Sequence, residues 1–373
     1  MAITLVRCST TSQVTDFIRL PHQLYYNDPH WVPVLWADEK KFHDARKNEA
    51  LNYCEAIRYL AYRDNKPVGR IMGIIHHPYN NKHHEKTARF FALDCINDAD
   101  TARILIGAIE TWARERGMDK IIGPFGFSDK DPQGAKIEGF DFLPALGTPT
   151  NPPYLPALIE AAGYAKEIDC VSYQIPIPKT IPPKYQEVYQ RIVKNPELRL
   201  VEFNRKAQLQ PYILPVLKLM NETYQHIFGF YPLQETEMKN LAAQYLPVLD
   251  PEFVKVVVNS SGQLVAFVVG MPEMSAGIKK AGGKLFPFGF LHILRAMRST
   301  KQLTLLLGAI KPAFRGVGIS VLMGKSIIEA AQRRGMTIID SHLILETNLR
   351  MRGECAKLDG QVYKRFRIYA KQL

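Results

Sequence analysis

Hydrophobic residues along the chain form short runs that predict β-strands, separated by polar turns and by segments with helical spacing. Residues 57–62 and 68–75 flank a short polar turn, and this pattern predicts a β-hairpin. Residues 254–258 and 264–270 predict a second hairpin in the same way. Strands and helices are therefore mixed along the whole chain, which favours the α/β fold class with a mixed sheet.

A glycine-bearing loop lies between a predicted strand and a predicted helix in the last third of the chain. The apolar run 303–310 predicts a buried strand, and residues 319–334 carry apolar side chains at helical spacing. Between them, Gly316 and Gly318 allow the backbone to come close to a ligand. Unpaired N–H groups at a helix start attract anions, so the loop is a candidate phosphate site, although a plain strand-to-helix turn has the same pattern.

Two common phosphate-binding loops do not fit these residues. The P-loop requires Lys followed by Ser or Thr at a fixed distance from its first glycine, and that pair is absent at this spacing. The dinucleotide-binding pattern requires a third glycine at position 321, which is Val321.

The same order of elements occurs twice along the chain. A predicted helix that ends in Arg, Gly and Met precedes a β-type run at residues 113–122 and again at residues 331–339. Asn151 and Asn348 are each followed by a helical stretch and, twelve positions on, by a glycine. The chain is therefore predicted to contain two halves built on one plan.

The loop at residues 312–320 resembles the pyrophosphate loop of the GNAT superfamily, the acyl-CoA N-acyltransferases. That pattern is Arg or Gln, two residues, Gly, one residue, then Gly or Ala, often with a Pro upstream. Arg315, Gly318 and Pro312 match it, and Ser320 replaces the last small residue. The repeated order of elements is also similar to the order in this family. The resemblance implies two GNAT-like domains in tandem, each with a central, mostly antiparallel sheet flanked by helices.

A proline-rich segment separates the two halves. Residues 176–184 contain four prolines, which is typical of a linker. We predict a degenerate GNAT-like domain at residues 1–176 (the first half), a linker at 177–197, and a GNAT domain with the acyl-CoA loop at 198–373 (the second half).

The first half is predicted not to bind CoA in the usual way. The loop before its corresponding helix holds Asp94, Asp98 and Asp100 and no glycine. These carboxylates suit a helix start, but they would repel a pyrophosphate. The long segment 123–149 has almost no counterpart in the second half, and it is either a pocket wall or a packed surface loop.

The resemblance implies an acyl-CoA, most often acetyl-CoA, as the co-substrate. It assigns the pantetheine arm to the end of the strand before the loop and the pyrophosphate to the loop itself. The predicted binding residues are Gly308, Ala309, Ile310, Arg315, Gly316, Val317, Gly318, Ile319, Ser320 and Asn348. Asn348 has an equally good alternative role as the N-cap of the next helix.

Acyl transfer to an amine needs the neutral amine, so the site requires a base. Glu346 and His342 are the candidates, because they lie along and just past the fifth strand of the second half, near the acceptor position that the resemblance implies. A solvated or salt-bridged side chain is the competing interpretation for each. Many family members use a Tyr as the acid that protonates the thiolate, and the matching position here is Cys355, which puts a Tyr acid at that site in doubt.

Aromatic residues supply the candidate acceptor site. Phe228, Phe230 and Tyr231 join two early helices of the second half, where family members often bind the acceptor; core packing is the alternative. The insert at residues 272–300 is aromatic and basic; a packed helical flap over the acceptor site is favoured, and a surface for a membrane or for RNA is the alternative.

Composition and charge narrow the class of protein only a little. With 46% hydrophobic and 23% charged residues, the chain is an ordinary globular protein without a run long enough to span a bilayer. Its start lacks signal-peptide features, and its five cysteines are scattered, which predicts a cytoplasmic protein without a structural metal. The net charge of +12 suits nucleic acid, anionic membranes or a polyanion such as CoA, and also simple solubility.

These observations predict an acyl-CoA-dependent N-acyltransferase that acts on an unidentified primary amine, either a small molecule or a peptide. One alternative is a transferase of related tandem fold that takes an aminoacyl group from tRNA, which the basic charge would suit. Another is a non-catalytic CoA-binding or regulatory protein, which the missing Tyr would suit. The sequence favours a small acceptor over nucleic acid and leaves the oligomeric state open.

Overall fold

The computed structural model describes residues 2–373. Its strands, in chain order, are β1 (Thr4–Arg7), β2 (Cys54–Arg63), β3 (Lys66–His76), β4 (Thr87–Cys95), β5 (Lys120–Gly123), β6 (Ala135–Glu138), β7 (Ala165–Pro176), β8 (Leu198–Glu202), β9 (Val254–Asn259), β10 (Leu264–Pro272), β11 (Gln302–Ile310), β12 (Ile338–Asp340), β13 (Ile344–Leu345) and β14 (Gln361–Gln372). Its α-helices are α1 (Thr11–Tyr25), α2 (Trp36–Phe42), α3 (Ala50–Tyr53), α4 (His77–His83), α5 (Ala99–Arg114), α6 (Leu155–Ala161), α7 (Pro183–Ile192), α8 (Gln210–Thr223), α9 (Glu235–Tyr245), α10 (Ser275–Lys280), α11 (Gly289–Ser299), α12 (Ile319–Arg333) and α13 (Leu349–Ala356).

All of these strands belong to one mixed sheet, in which the two halves meet at the centre. The order from one edge is β1-β2-β3-β4-β5-β14-β7-β12-β11-β10-β9-β8, with β6 beside β14 and β13 beside β7. The first five strands and the strands β8 to β12 thus follow the same order from opposite edges. Both predicted hairpins form, as β2–β3 and β9–β10. The predicted α/β class with a mixed, mostly antiparallel sheet is confirmed.

The last strand of each half lies against the other half. β7 pairs with β12, with Ile175 opposite Ile339, and β14 pairs with β5, with Ile122 opposite Ala370. β7 and β14 also pair with each other along most of their length. Each half therefore completes its sheet with a strand of the other half, and the domain limits at residues 176 and 198 stay a prediction.

A gap opens in the sheet of each half where two parallel strands diverge. β11 and β12 pair only from Gln302 to Thr304, although β11 continues to Ile310. β4 and β5 pair in parallel only over the first three residues of β4. A bulge lies on the diverging part of each strand: Leu306 is skipped in the pairing of β11 with β10, and Ala92 of β4 has a φ of 49°. Backbone groups along these gaps are left for other partners.

The segment predicted as a linker contains a helix. α7 packs on α12, with Ile192 in the same apolar cluster as Ile319 and Leu322. The Nζ atom of Lys325 lies 4.1 Å from the centre of the Tyr189 ring. The segment is therefore an ordered support for the helix that follows the glycine loop.

Candidate active site

The start of α12 presents free backbone donors to an open space. Gly318 precedes the helix with a φ of 104°, and no side chain caps this end. Among residues 2–373, the N–H groups of Ile319 and Ser320 have no hydrogen-bond acceptor. Gly316 has a φ of 82°, and a Cβ atom there would have nothing within 4 Å. The geometry suits a pyrophosphate, because unpaired N–H groups and the helix dipole both favour an anion.

Arg315 fixes the loop against the end of β11. Its Nε atom donates a hydrogen bond of 3.0 Å to the carbonyl oxygen of Ile310. The rest of the guanidinium has no hydrogen-bond acceptor among the described residues. It is therefore available to a phosphate next to the helix start.

The corresponding helix start in the first half is filled by the protein itself. The Asp98 carboxylate accepts a hydrogen bond of 2.8 Å from the Thr101 N–H at the start of α5, and it pairs with Arg63 at 2.8 Å. Hydrogen bonding from Thr101 lowers the pKa of Asp98 and outweighs the opposite effect of burial. A negative charge therefore already occupies this position, which agrees with the difference between the halves that the sequence indicated.

The edge of β11 predicted to hold the pantetheine arm carries a tyrosine hydroxyl. The Tyr224 hydroxyl, directly after α8, donates to the Gly308 carbonyl at 3.0 Å and accepts from the Gly308 N–H at 3.3 Å. Burial raises the pKa of Tyr224 to about 12. Tyr224 was not predicted as a site residue; its sequence signal is its position at the end of a helix, just before the aromatic residues Phe228 to Tyr231.

His342 lies at the apex of the gap in the second half, two residues beyond the last parallel pair of β12. Its φ of 58° is uncommon for a residue with a side chain. Its Nε2 atom is 2.9 Å from the Leu146 carbonyl oxygen, which can only accept, so we assign the proton to Nε2 and a free lone pair to Nδ1. Burial lowers the pKa of His342, which keeps the ring neutral near pH 7.

A buried polar cluster behind His342 joins β12 to β14. Asp340 accepts a hydrogen bond from the Tyr363 hydroxyl, and its second oxygen accepts one of 2.6 Å from the His342 N–H. Lys364, with a side chain that is 1% exposed, lies 3.8 Å from Asp340. The cluster thus fixes the backbone of His342.

Glu346 and Asn348 have structural partners. The Glu346 carboxylate accepts from Lys166 at 2.8 Å and from the Asp169 N–H at 3.0 Å, so both oxygens are engaged. Burial acts to raise the pKa of Glu346, but these hydrogen bonds prevail and lower it. Asn348 caps α13 by accepting from the Met351 N–H at 3.1 Å. Neither contact tests the roles predicted for these residues, but both leave fewer atoms free for a ligand.

A chamber of about 460 Å³ lies between the two halves. One wall is the bulged part of β4, from Phe91 to Asp94, in the gap of the first half. The opposite wall comes from the second half, namely Tyr231 and α9. Segment 144–151, most of which belongs to the long loop at residues 123–149, forms a further side.

Of the three predicted acceptor residues, the structure places only Tyr231 in this chamber. Phe230 is buried beneath Lys130, whose Nζ atom lies 4.0 Å from the ring centre. Phe228 packs edge-on against Phe125, with ring centres 5.8 Å apart. These two aromatic residues belong to the core.

The chamber combines apolar walls with acidic groups. Burial raises the pKa of Asp131 to about 6 and also raises that of Asp38. Glu237 accepts a hydrogen bond of 2.7 Å from the Tyr53 hydroxyl. Aromatic and aliphatic side chains cover much of the remaining surface. Lys41, Lys47, Arg70 and Lys130 also line the chamber, so both signs of charge are present and the mixture suits an amphiphilic ligand.

The chamber adjoins the gap of the second half. Leu146 lines the chamber, and its carbonyl oxygen contacts His342. Leu306, the bulged residue of β11, packs in the same apolar cluster as Tyr245 and Ile278, which also line the chamber. One apolar cluster therefore both lines the chamber and includes the bulged residue of β11.

Within residues 2–373, no group of three or more His, Cys, Asp or Glu side chains is placed to hold a metal ion. All five cysteines are free thiols. None of the helices in this part of the chain has the length and apolar character that a membrane span requires.

No protein-family model matches the chain. It is similar to Protein YghO of Escherichia coli, with 29% identity over 364 residues that cover 96% of this chain and 92% of that protein. It is also similar to a bacterial ceramide synthase of Caulobacter vibrioides, with 27% identity over 383 residues that cover 100% of this chain and 98% of that protein. A solved tandem GNAT protein from the clavulanic acid biosynthesis pathway superimposes with a TM-score of 0.56 and 12% identity, covering 100% of this chain and 98% of its own.

Proposed function

Since the chain has the tandem GNAT fold, we propose that it is an acyl-CoA-dependent N-acyltransferase whose reaction takes place in the second half. One observation carries this proposal: α12 starts with uncapped N–H groups next to the open Gly316, whereas α5 starts against the Asp98 carboxylate. Only the second half thus offers a place for the pyrophosphate of CoA.

The proposed donor site follows the edge of β11. Arg315 and the N–H groups of Ile319 and Ser320 hold the pyrophosphate, and the backbone of Gly308 to Ile310 holds the pantetheine arm. The bulge at Leu306 supplies a backbone N–H for the oxygen of the thioester carbonyl, on which negative charge develops during the reaction. Acetyl-CoA and longer acyl-CoAs are both candidates for this donor.

The proposed reaction forms a C–N bond and breaks the C–S bond of the thioester. The amine nitrogen attacks the carbonyl carbon and loses a proton, and the thiolate that leaves gains one. His342 takes the proton at Nδ1, because its ring is neutral and its Nε2–H is held by Leu146. The Tyr224 hydroxyl, bonded to the β11 edge at Gly308, is the proposed proton donor to the thiolate. Glu346 as a base stays a prediction that its ion pair with Lys166 does not favour.

The proposed acceptor is a long-chain amine held in the chamber. The apolar walls would gain from covering an alkyl chain, and the Asp131 and Glu237 carboxylates would attract the ammonium group before it loses its proton. The similarity to a protein called a bacterial ceramide synthase supports this class, because ceramides are amides of long-chain amines.

Calorimetric titration of acetyl-CoA and of a long-chain acyl-CoA tests the donor site. Ser320→Asp places a carboxylate at the second residue of α12, where it suits the helix dipole but opposes a pyrophosphate. We expect the wild type to bind and Ser320→Asp to weaken binding by roughly tenfold or more, which is about 1.4 kcal/mol. Ser320→Asn, of the same size but neutral, is the matched control and should bind nearly as well as the wild type.

The same titration separates the alternatives. If neither acyl-CoA nor free CoA binds the wild type, the proposal fails and an aminoacyl-tRNA donor becomes the next candidate. Binding that Ser320→Asp and Ser320→Asn leave equally strong would place the donor elsewhere. Binding without turnover on any long-chain amine would favour a regulatory protein.

A further inference from the structure

Large apolar side chains are concentrated on the surface of α11 and of the loop before it. Phe286 is 80% exposed and Phe288 is 67% exposed. We call these two residues and the other exposed apolar residues of α11 the aromatic patch; it consists of Phe286, Phe288, Phe290, Leu291 and Leu294. A cluster of this size in so short a segment is unusual for a surface that faces only water.

The fold itself does not explain this patch. α11 already buries its inner face, with Ile293 and Met297 in the apolar cluster that also includes Met271. Leu291 and Leu294 lie on the opposite side and are exposed. The outward face thus carries Leu291 and Leu294 beside Arg295 and Arg298, and the two leucines belong to no apolar cluster of the described chain.

The segment that carries the aromatic patch is also basic. Residues 274–301 contain no Asp or Glu. The exposed basic side chains in this segment, none of which forms an ion pair within residues 2–373, are Lys280, Lys284, Arg295, Arg298 and Lys301. An apolar surface that shares its segment with unpaired cations complements an interface that is apolar below a layer of negative charge.

The aromatic patch adjoins the rim of the chamber. The Trp36 N–H donates to the Gly283 carbonyl at 2.9 Å, and the Nζ atom of Lys284 lies 5.3 Å from the centre of the Trp36 ring. Val34, which also lines the chamber, is 53% exposed. A ligand that enters past Val34 and Trp36 therefore passes beside the patch.

We propose that the aromatic patch and the basic residues of the same segment seat the protein on the surface of an anionic lipid bilayer, with the rim of the chamber turned toward the lipid. The aromatic side chains enter the headgroup region, and Arg295, Arg298 and Lys284 contact the lipid phosphates. Leucines beside the phenylalanines favour a bilayer over RNA, because stacking on bases uses aromatic rings and gains nothing from Leu291 or Leu294.

Vesicle flotation tests this surface without any measurement of activity, so its outcome does not depend on the proposed reaction. We expect the wild type to float with vesicles that contain phosphatidylglycerol and not with vesicles of phosphatidylcholine alone, and added salt should release it. F286S/F288S and, separately, R295E/R298E should each reduce the bound fraction by roughly fivefold or more. L349S is the matched control, because Leu349 is a 73% exposed leucine outside the aromatic patch, and it should float like the wild type.

Circular dichroism should show the same fold in all four proteins, since every altered side chain is exposed. Failure of the wild type to bind anionic vesicles overturns the proposal. So does equal loss in L349S. If sedimentation velocity instead shows a dimer that F286S/F288S dissociates, or if single-stranded RNA binds at the patch while vesicles do not, the occupant is a second copy or RNA and the proposal is wrong.

Discussion

The Tyr224 hydroxyl is bonded to both backbone groups of Gly308, at 3.0 Å from its oxygen and 3.3 Å from its nitrogen. This contact bridges α8 and the free edge of β11, where the sheet of the second half opens. A ligand that accepts a hydrogen bond from the Gly308 N–H must displace the bond between this N–H and the Tyr224 hydroxyl. The ligand then lies next to that hydroxyl. The proposed general acid, Tyr224, is thus held beside the proposed binding site of the acyl-CoA.

Tyr224→Phe should lower kcat by roughly tenfold to a hundredfold or more, since it removes the proposed general acid. Binding of acyl-CoA should be unchanged or slightly tighter, because the Gly308 N–H is then free. Steady-state kinetics together with calorimetry measure both effects. Tyr212→Phe, in α8 itself, is the control, since its hydroxyl makes no hydrogen bond among the described residues. Equal kcat values for Tyr224→Phe and the wild type would exclude the acid role.

The neutral His342 predicts a specific pH dependence. Burial lowers its pKa from the usual value of about 6.5. A base must be unprotonated, so kcat should stay level as the pH falls through 6.5 and decline only at the lower pKa of the buried ring. His342→Gln should lose roughly a hundredfold in kcat and lack this decline. His226→Gln, at an exposed position, should keep the wild-type profile. A decline in wild-type kcat centred above pH 6.5 would point to another base.

Asp98 should contribute to the stability of the fold and not to the binding of acyl-CoA. Asp98→Ala removes the cap of α5 and should lower the free energy of unfolding by about 1–2 kcal/mol, as measured by urea denaturation. The affinity for acyl-CoA should not change, because the proposed site is in the second half. Asp100→Ala, also in the first turn of α5, is the control for charge near the helix start. It should lower the free energy of unfolding by less than Asp98→Ala does. Weaker acyl-CoA binding in Asp98→Ala would implicate the first half in the donor site.

A larger side chain in the chamber should weaken binding of the amine acceptor and leave binding of acyl-CoA unchanged. Gln244 is exposed at the surface and lines the chamber from α9, so Gln244→Trp narrows the space without disturbing the core. We expect the KM for a long-chain amine to rise roughly tenfold while the Kd for acyl-CoA stays the same. Ala243→Trp places the same side chain on the neighbouring exposed position, which does not line the chamber. Equal effects of the two variants would argue against the chamber as the acceptor site.

The sequence predicted those features that depend on residues next to one another along the chain. The strand, the loop at Gly316 and Gly318, and α12 follow one another along the chain, so their pattern was sufficient to indicate the fold. The chamber was not predictable in this way, because its walls come from separate segments such as residues 144–151 and α9. Tyr224 was missed for the same reason, since only the folded chain brings it to Gly308.

The pairing of β7 with β14 could not be predicted from the local sequence either. Both are long β-type segments at the end of a half. The residue pattern of each one would allow it to pair with either neighbouring strand. Which neighbour each one takes is decided by register and packing across the centre of the sheet, with Phe366 opposite Cys170.

This pairing has a consequence for synthesis on the ribosome. β14 is the last strand of the sheet to be translated, yet it lies between β5 and β7, which are made much earlier. Until those twelve residues emerge, both earlier strands have an open edge at the middle of the future sheet. The two halves are therefore expected to reach the native state together, in one late cooperative step, and the nascent first half should depend on chaperones that shield strand edges.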